Sequence, residues 1–196
     1  MKTLALFDFD GTLYRKDSLI EFTKFSKGKL SFYTGILLLS PYLVGLKMRI
    51  LLNEKVKLKY MRYFFRNMEY EDFKKNAKDF SLQMIEKDLD KKTVQNFHHH
   101  IASNHSVYIV TASVEEWIQP WASQYNVQVI GTKLENFNDK ISGNFLSKNC
   151  FGIEKVNRIK EIVNLDEFDE IYVYGSGRGD FEMLQLSKKR RQKRLL

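Results

Sequence analysis

The sequence predicts an α/β protein with a parallel-sheet core and a helical cap inserted into it. Four short runs rich in apolar, β-branched or aromatic residues, 3–9, 106–111, 127–130 and 171–174, read as buried strands. Runs this short without strict alternation suit a parallel sheet covered on both faces. Helical patterns over 114–125 and 154–163 separate the later runs, so strand and helix alternate with right-handed crossovers, in the Rossmann-like manner. Nearly a hundred residues separate the first two strands. They carry helical periodicity, and a plain loop of that length does not belong inside a compact domain.

These elements divide the 196 residues into a core of 1–17 and 90–196 and a cap of 18–89. The helix over 114–125 opens with Ser113 as its N-cap and Glu115 and Glu116 in its first turn. Within 133–145, Asn138-Asp139 lies between two short arms and predicts a hairpin. Inside the cap, 30–46 holds no charged residue and is flanked by Lys27, Lys29, Lys47 and Arg49. It is shorter than the ~20 apolar residues of a spanning helix. Pro41 predicts a break, so the segment reads as two short helices packed in the cap, with a membrane-associated hairpin as the minority alternative.

Hydrophobic residues make up 43% of the chain and charged residues 29%, enough for a packed core and against global disorder. The net charge is +8, yet residues 188–194 (KKRRQKR) hold six positive charges, and removing them leaves +2. The basicity therefore marks a solvated tail rather than a nucleic-acid-binding face, and no nucleic acid is expected as partner. Cys150 is the lone cysteine, which excludes an internal disulfide and suits a reducing, cytoplasmic setting. No secretory signal is visible, because the apolar stretch at residues 4–7 runs straight into Asp8 and Asp10.

The chemistry gathers where strands end. Asp8-Phe9-Asp10-Gly11-Thr12 closes the first strand, the edge at which open α/β sheets place their sites. A spacing of two sets both carboxylates on one side, where a divalent cation compensates them or one holds a proton. Gly11 permits a tight turn. The second strand ends in Val110-Thr111-Ala112-Ser113, where a hydroxyl and amides at a helix start make an anion site. Lys155 lies in the first turn of the next helix, where a cation opposes the helix dipole; taken alone it reads as a solvated surface lysine, and the other reading is that it neutralises phosphate and the clustered carboxylates. The last strand runs into Gly175-Ser176-Gly177-Arg178-Gly179-Asp180, a glycine-rich loop with a carboxylate at its end.

In this order the four segments resemble the motifs of the haloacid dehalogenase-like hydrolases. The nearest branch is the phosphoserine-phosphatase-like group (subfamily IB), whose helical cap follows the first motif (type C1). The resemblance covers 1–17 and about 90–184, and the cap more loosely. It implies a Mg²⁺-dependent phosphatase acting on a small phosphorylated metabolite. Asp8 would be the nucleophile that becomes phosphorylated, and Asp10 the general acid and base. Asp8, Asp10 (through its main-chain carbonyl) and Asp180 would hold the metal. Thr111, Ala112, Lys155 and Gly11 would bind phosphate, and Asp17 would face the substrate. One departure stands out: Ser176 follows Gly175 where the family carries an aspartate that binds the metal. Two alternatives follow from it and from the fold, namely a catalytically impaired binding or membrane-associated module, and a phosphotransferase.

Other residues read as structural. His98, His99 and His100 point in different directions on a helix and form a solvated segment. Trp117 and Trp121 pack, Cys150 is a small buried residue, and nothing selects Arg62 or Arg66 as substrate ligands.

Overall fold

The computed structural model of the chain describes residues 2–47 and 53–187. The basic run at 188–194 lies outside the described residues. In chain order the elements are β1 (Thr3–Phe7), α1 (Ser18–Lys27), α2 (Lys29–Lys47), α3 (Asn53–Phe65), α4 (Tyr70–Met84), α5 (Lys91–Ala102), β2 (Ser106–Val114), α6 (Gln119–Ala122), β3 (Gln128–Thr132), β4 (Leu134–Phe137), β5 (Lys140–Phe145), α7 (Ile153–Ile162), β6 (Glu170–Tyr174) and α8 (Phe181–Leu184). The strands β3, β2, β1 and β6 form one parallel sheet in that order, and β4 pairs with β5 in a separate antiparallel ribbon.

Every residue of β1 is buried, which is why its sequence is apolar without alternation. Ala5 and Phe7 face one cluster, Leu4 and Leu6 the other, which includes Ile159 and Val163 from α7 and the end of its helix. The first cluster runs without a gap into the cap helices α1–α4. Its hinge point is Phe22 of α1, which stacks on Trp117 at 4.7 Å and meets Phe65, Phe73 and Phe80 at 5.4–5.6 Å. Polar pins reinforce the joint: Ser81 Oγ accepts from the Trp121 amide, and Trp117 Nε1 donates to Ser18 Oγ at 3.1 Å. The β4–β5 ribbon turns on Asn138 and Asp139, both at positive φ (51° and 58°), as a two-residue hairpin requires. It leans on the cap through Gly143, where a Cβ would sit 2.7 Å from Arg62 Cα.

Three local expectations are corrected. The segment 30–46 is not two helices: α2 runs on through Pro41. Proline leaves the Leu37 carbonyl without its usual amide partner, and Ser40 Oγ donates to that carbonyl at 2.7 Å. The segment 114–125 is not one helix. Strand β2 persists to Val114, and single turns follow, with Pro120 starting the short α6 where a continuous helix would need its N–H. Ser113 is therefore the end of a strand and not a helix cap. Lastly, the histidine segment is solvated only at His98 and His99. His100 is 3% exposed, because it shares the inward face of α5 with Phe97, three residues earlier. It meets His105 Nδ1 at 2.7 Å and Tyr174 Oη at 3.0 Å, and burial pushes its imidazole pKa down to about 4.

Candidate active site

Strands β1, β2 and β6 end side by side, and their following loops form the floor of a cavity of about 620 Å³. Cap helices α1, α2 and α3 form its roof. Gly11 turns the chain after β1 at φ +76°, a conformation closed to most side chains, and there a Cβ would also lie 3.6 Å from Ser176 Oγ.

Asp8, one residue beyond β1, is 6% exposed. Its Oδ1 accepts from Lys155 Nζ at 2.6 Å and its Oδ2 from Thr12 Oγ1 at 2.8 Å. Lys155 is 2% exposed, so the cation in the first turn of α7 is not a surface lysine. Its ammonium also meets Asp180 Oδ1 at 2.6 Å and the Val110 carbonyl at 2.9 Å. Asp180 Oδ2 in turn accepts from the amides of Ser176 at 3.1 Å and Gly177 at 2.8 Å. Gly175 lets that carboxylate in, since a Cβ there would sit 2.8 Å from Asp180 Cβ. One ammonium thus serves two buried carboxylates. Burial raises the Asp8 pKa, with the Asp180 charge adding to it and Lys155 opposing it. The two partner charges hold the Lys155 pKa above its usual value, although burial works against this.

Asp10 sits in a different cradle. Its carboxylate accepts from the Ser18 amide at 2.7 Å, from Ser18 Oγ at 3.2 Å and from Ser113 Oγ. Burial first, and the nearby Asp17 charge second, lift its pKa to about 7. The two aspartates do not share a partner. Both nonetheless line the same cavity, as their spacing of two predicts, although β1 stops at Phe7 and both lie beyond the strand.

The other expected residues surround these two. Thr111 is 1% exposed, and its Oγ1 accepts the Ser113 amide at 3.0 Å. That bond uses an amide that the helix-start reading had left free. The Ala112 carbonyl accepts from Thr132 Oγ1 at 2.7 Å. Asp17 caps α1, accepting from the Ile20 amide at 3.1 Å, and lines the cavity. Ser176 takes no part as a carboxylate stand-in; its Oγ donates to the Gly11 carbonyl at 3.0 Å. Arg62 and Arg66 line a separate cleft beside the β4–β5 ribbon.

Sequence reasoning missed Lys57. It reaches down from α3, and its Nζ donates to the Ala112 carbonyl and to Asn149 Oδ1, the latter at 3.1 Å. Burial pushes its pKa down to about 8, with Asp10 and Asp17 pulling the other way. Lys57 stands among other lysines on a helix, and nothing in its sequence context marks it. Ser113 and Ser18, which hold Asp10, were equally silent as hydroxyls.

Among the described residues no three acidic, histidine or cysteine side chains converge on one point. The acidic excess of Asp8 and Asp180 over one lysine nonetheless fits an added cation, and every candidate donor is oxygen, as Mg²⁺ requires. The set is sparse, since both Asp180 oxygens already have partners.

A model of the haloacid dehalogenase-like hydrolases matches residues 5–185. Protein CicA of Caulobacter vibrioides is 32% identical over 189 residues, which is 94% of this chain and 82% of CicA. The crystal structure of a protein with unknown function from Bordetella pertussis Tohama I is similar with a TM-score of 0.80 at 20% identity, covering 96% of this chain and 88% of that one. Phosphoserine phosphatase in its apo form is similar with a TM-score of 0.66 at 14% identity, covering 95% and 84%. These structural likenesses speak to the fold, with its parallel sheet and flanking helices, and the sequence matches speak to descent. The chain belongs to the haloacid dehalogenase-like hydrolases.

Proposed function

We propose that this hydrolase is a phosphatase acting on a phosphomonoester, with Asp8 as nucleophile and Asp10 as proton carrier. The contrast between the two aspartates carries the reading. Asp8 is set against a buried ammonium, which works against the rise in pKa that burial gives it. Asp10 is set among hydroxyls, where its pKa of about 7 suits a group that must both give and take a proton.

In the first step an Asp8 oxygen bonds to phosphorus and the bond from phosphorus to the leaving oxygen breaks. Asp10 gives that oxygen its proton, and the alcohol departs. In the second step water attacks phosphorus and loses its proton to Asp10. Inorganic phosphate leaves, and both carboxyl groups return to their first state. Splitting the reaction this way replaces one hard step with two easier ones. Lys155, Thr111, Gly11 and the backbone at Ala112 would cradle the phosphoryl oxygens, so that positioning and charge supply the rate. Asp17, at the cavity wall, would meet the rest of the substrate. Mg²⁺ would be held by Asp8, the Asp10 main-chain carbonyl and Asp180, and would offset phosphoryl charge.

Turnover of p-nitrophenyl phosphate tests the nucleophile. Asp8→Asn is expected to lower it by about 10³-fold or more. Activity at the wild-type level in that variant would remove the proposal.

A second reading, an impaired binding module, draws on Ser176 and on the saturated Asp180. Calorimetric titration of Ser176→Asp with Mg²⁺ separates the two. A working but weakly metallated site predicts affinity tighter by about 10-fold. Unchanged affinity together with no turnover in either protein favours the impaired module.

A further inference from the structure

The roof of the cavity differs in kind from its floor. The cap contributes Leu19, Ile20, Phe32, Ile36, Val56 and Tyr60 beside Lys57, and Asp17 stands at the wall, so the space beyond the phosphate cradle is walled mainly by carbon with few charged groups. A polar leaving group rich in hydroxyls, such as a sugar, would reach those groups with part of its surface and leave its other donors and acceptors unpaired against carbon.

Helix α2 links this wall to the outside. Its inward face carries Phe32, Gly35, Ile36 and Leu39. Gly35 has no side chain because Phe64 of α3 fills the place, 2.3 Å from where a Cβ would be. Its outward face, at intervals of three and four, carries Leu30, Tyr33, Leu37, Pro41 and Val44, with Leu38 beside them. Leu30 is 81% exposed, Leu37 73% and Leu38 64%. A soluble surface rarely leaves so many large apolar side chains contiguous. No described helix is long and apolar enough to cross a membrane. A helix of this length that is apolar on its outer side and charged only at its two ends suits an interface better than a span.

Lysines border the patch. Lys29 opens α2, whose last residue is Lys47, and Lys59 of α3 sits over the Tyr42 ring at 4.1 Å. Such a collar suits anionic headgroups, with lysine stems along the acyl boundary and ammonium groups at the phosphates. It opposes a second copy of the same face, where the collars would repel.

We infer that α2 docks this protein on an anionic lipid surface, and that its substrate is an amphiphile with a terminal phosphomonoester, drawn from that surface into the carbon-walled cavity. The substrate half of this inference rests on the phosphatase reading above. The reaction is the same hydrolysis: water replaces the lipid alcohol on phosphorus, and a neutral-headed alcohol stays with the membrane.

The test uses the full chain and the double variant Leu37→Ser/Leu38→Ser, which alters exposed residues outside the cavity wall. Co-sedimentation is measured with vesicles of phosphatidylcholine alone and mixed with phosphatidylglycerol. The wild type is expected to bind the mixed vesicles and to retain measurable binding to the neutral ones. The variant should bind about 10²-fold more weakly to both, with an unchanged circular dichroism spectrum and unchanged turnover of p-nitrophenyl phosphate. Hydrolysis of phosphatidate in the mixed vesicles should exceed that of O-phosphoserine by about 10²-fold in kcat/KM. No vesicle binding by the wild type overturns the docking surface. So does binding that salt abolishes and the variant retains, or a wild-type dimer that the variant dissociates. If p-nitrophenyl phosphate is hydrolysed but phosphatidate is not preferred, the substrate class falls and the phosphatase reading stands. If no phosphate ester is hydrolysed, the phosphatase reading falls with the substrate class, and sedimentation alone decides the docking surface.

Discussion

The floor and the roof of the cavity are built on opposite principles. On the floor, Lys155 is buried with two carboxylates in contact, so its charge is wanted where it sits. In the roof, Lys57 is buried with only neutral oxygens in contact, the Ala112 carbonyl and Asn149. The same side chain is thus held charged in one place and pushed toward neutrality in the other. The contrast can be broken at three points.

Lys155→Met strikes hardest. It leaves Asp8 and Asp180 facing each other without a cation. Removing one partner from a buried ion cluster costs about 3–5 kcal/mol, which thermal or urea unfolding would register. Turnover should fall by about 10³-fold. A variant that keeps wild-type stability would show that the ammonium is not the tie described here.

Asp10→Asn comes next. Loss of the proton carrier should cost about 10²-fold or more on alkyl phosphates and much less on p-nitrophenyl phosphate, whose phenolate leaves without a proton. In the wild type, the step that releases an alcohol needs protonated Asp10, so it should slow as pH rises through about 7. The same residue gives a stability signature. Its folded pKa lies above the unfolded value, so the folded state binds more protons between about 4 and 7. Stability should therefore decline as pH rises across that window, and Asp10→Asn should flatten the decline. An equal loss on both substrates would contradict the assignment.

Lys57→Met is the mildest and runs the other way. Burial lowers its pKa to about 8, so near neutral pH the folded protein holds the ammonium at a cost. Its removal should leave the fold as stable or more stable by roughly 1 kcal/mol, since Thr132 Oγ1 still reaches both Ala112 and Asn149. KM should rise by less than about 10-fold, at nearly constant kcat. A stability loss as large as that of Lys155→Met would erase the distinction between floor and roof.

The floor was largely legible in the sequence and the roof was not. Strand ends, a positive-φ glycine and charges at helix starts are local signals, and Asp8, Asp10, Thr111, Lys155 and Asp180 all carried one. Lys57 carried none, because only the packing of α3 over β2 aims it inward. The helix expected over 114–125 failed at Pro120, and the break expected at Pro41 failed because Ser40 satisfies the carbonyl that proline abandons. One proline obeyed the rule and one was rescued by a neighbour, which no propensity scale encodes. The apolar run at 30–46 looked like either packing or a membrane segment. In the fold Phe32, Gly35 and Leu39 pack inward while Leu30, Leu37 and Leu38 stay exposed.

The central claim is that phosphate passes through Asp8. Acid quenching during turnover of p-nitrophenyl phosphate, followed by borohydride reduction and peptide mass spectrometry, reads this directly. An acyl phosphate on Asp8 is reduced to homoserine, so the peptide containing Phe7 to Thr12 should carry homoserine at position 8 and aspartate at position 10. Turnover with both aspartates unaltered, or homoserine at position 10, would contradict the account.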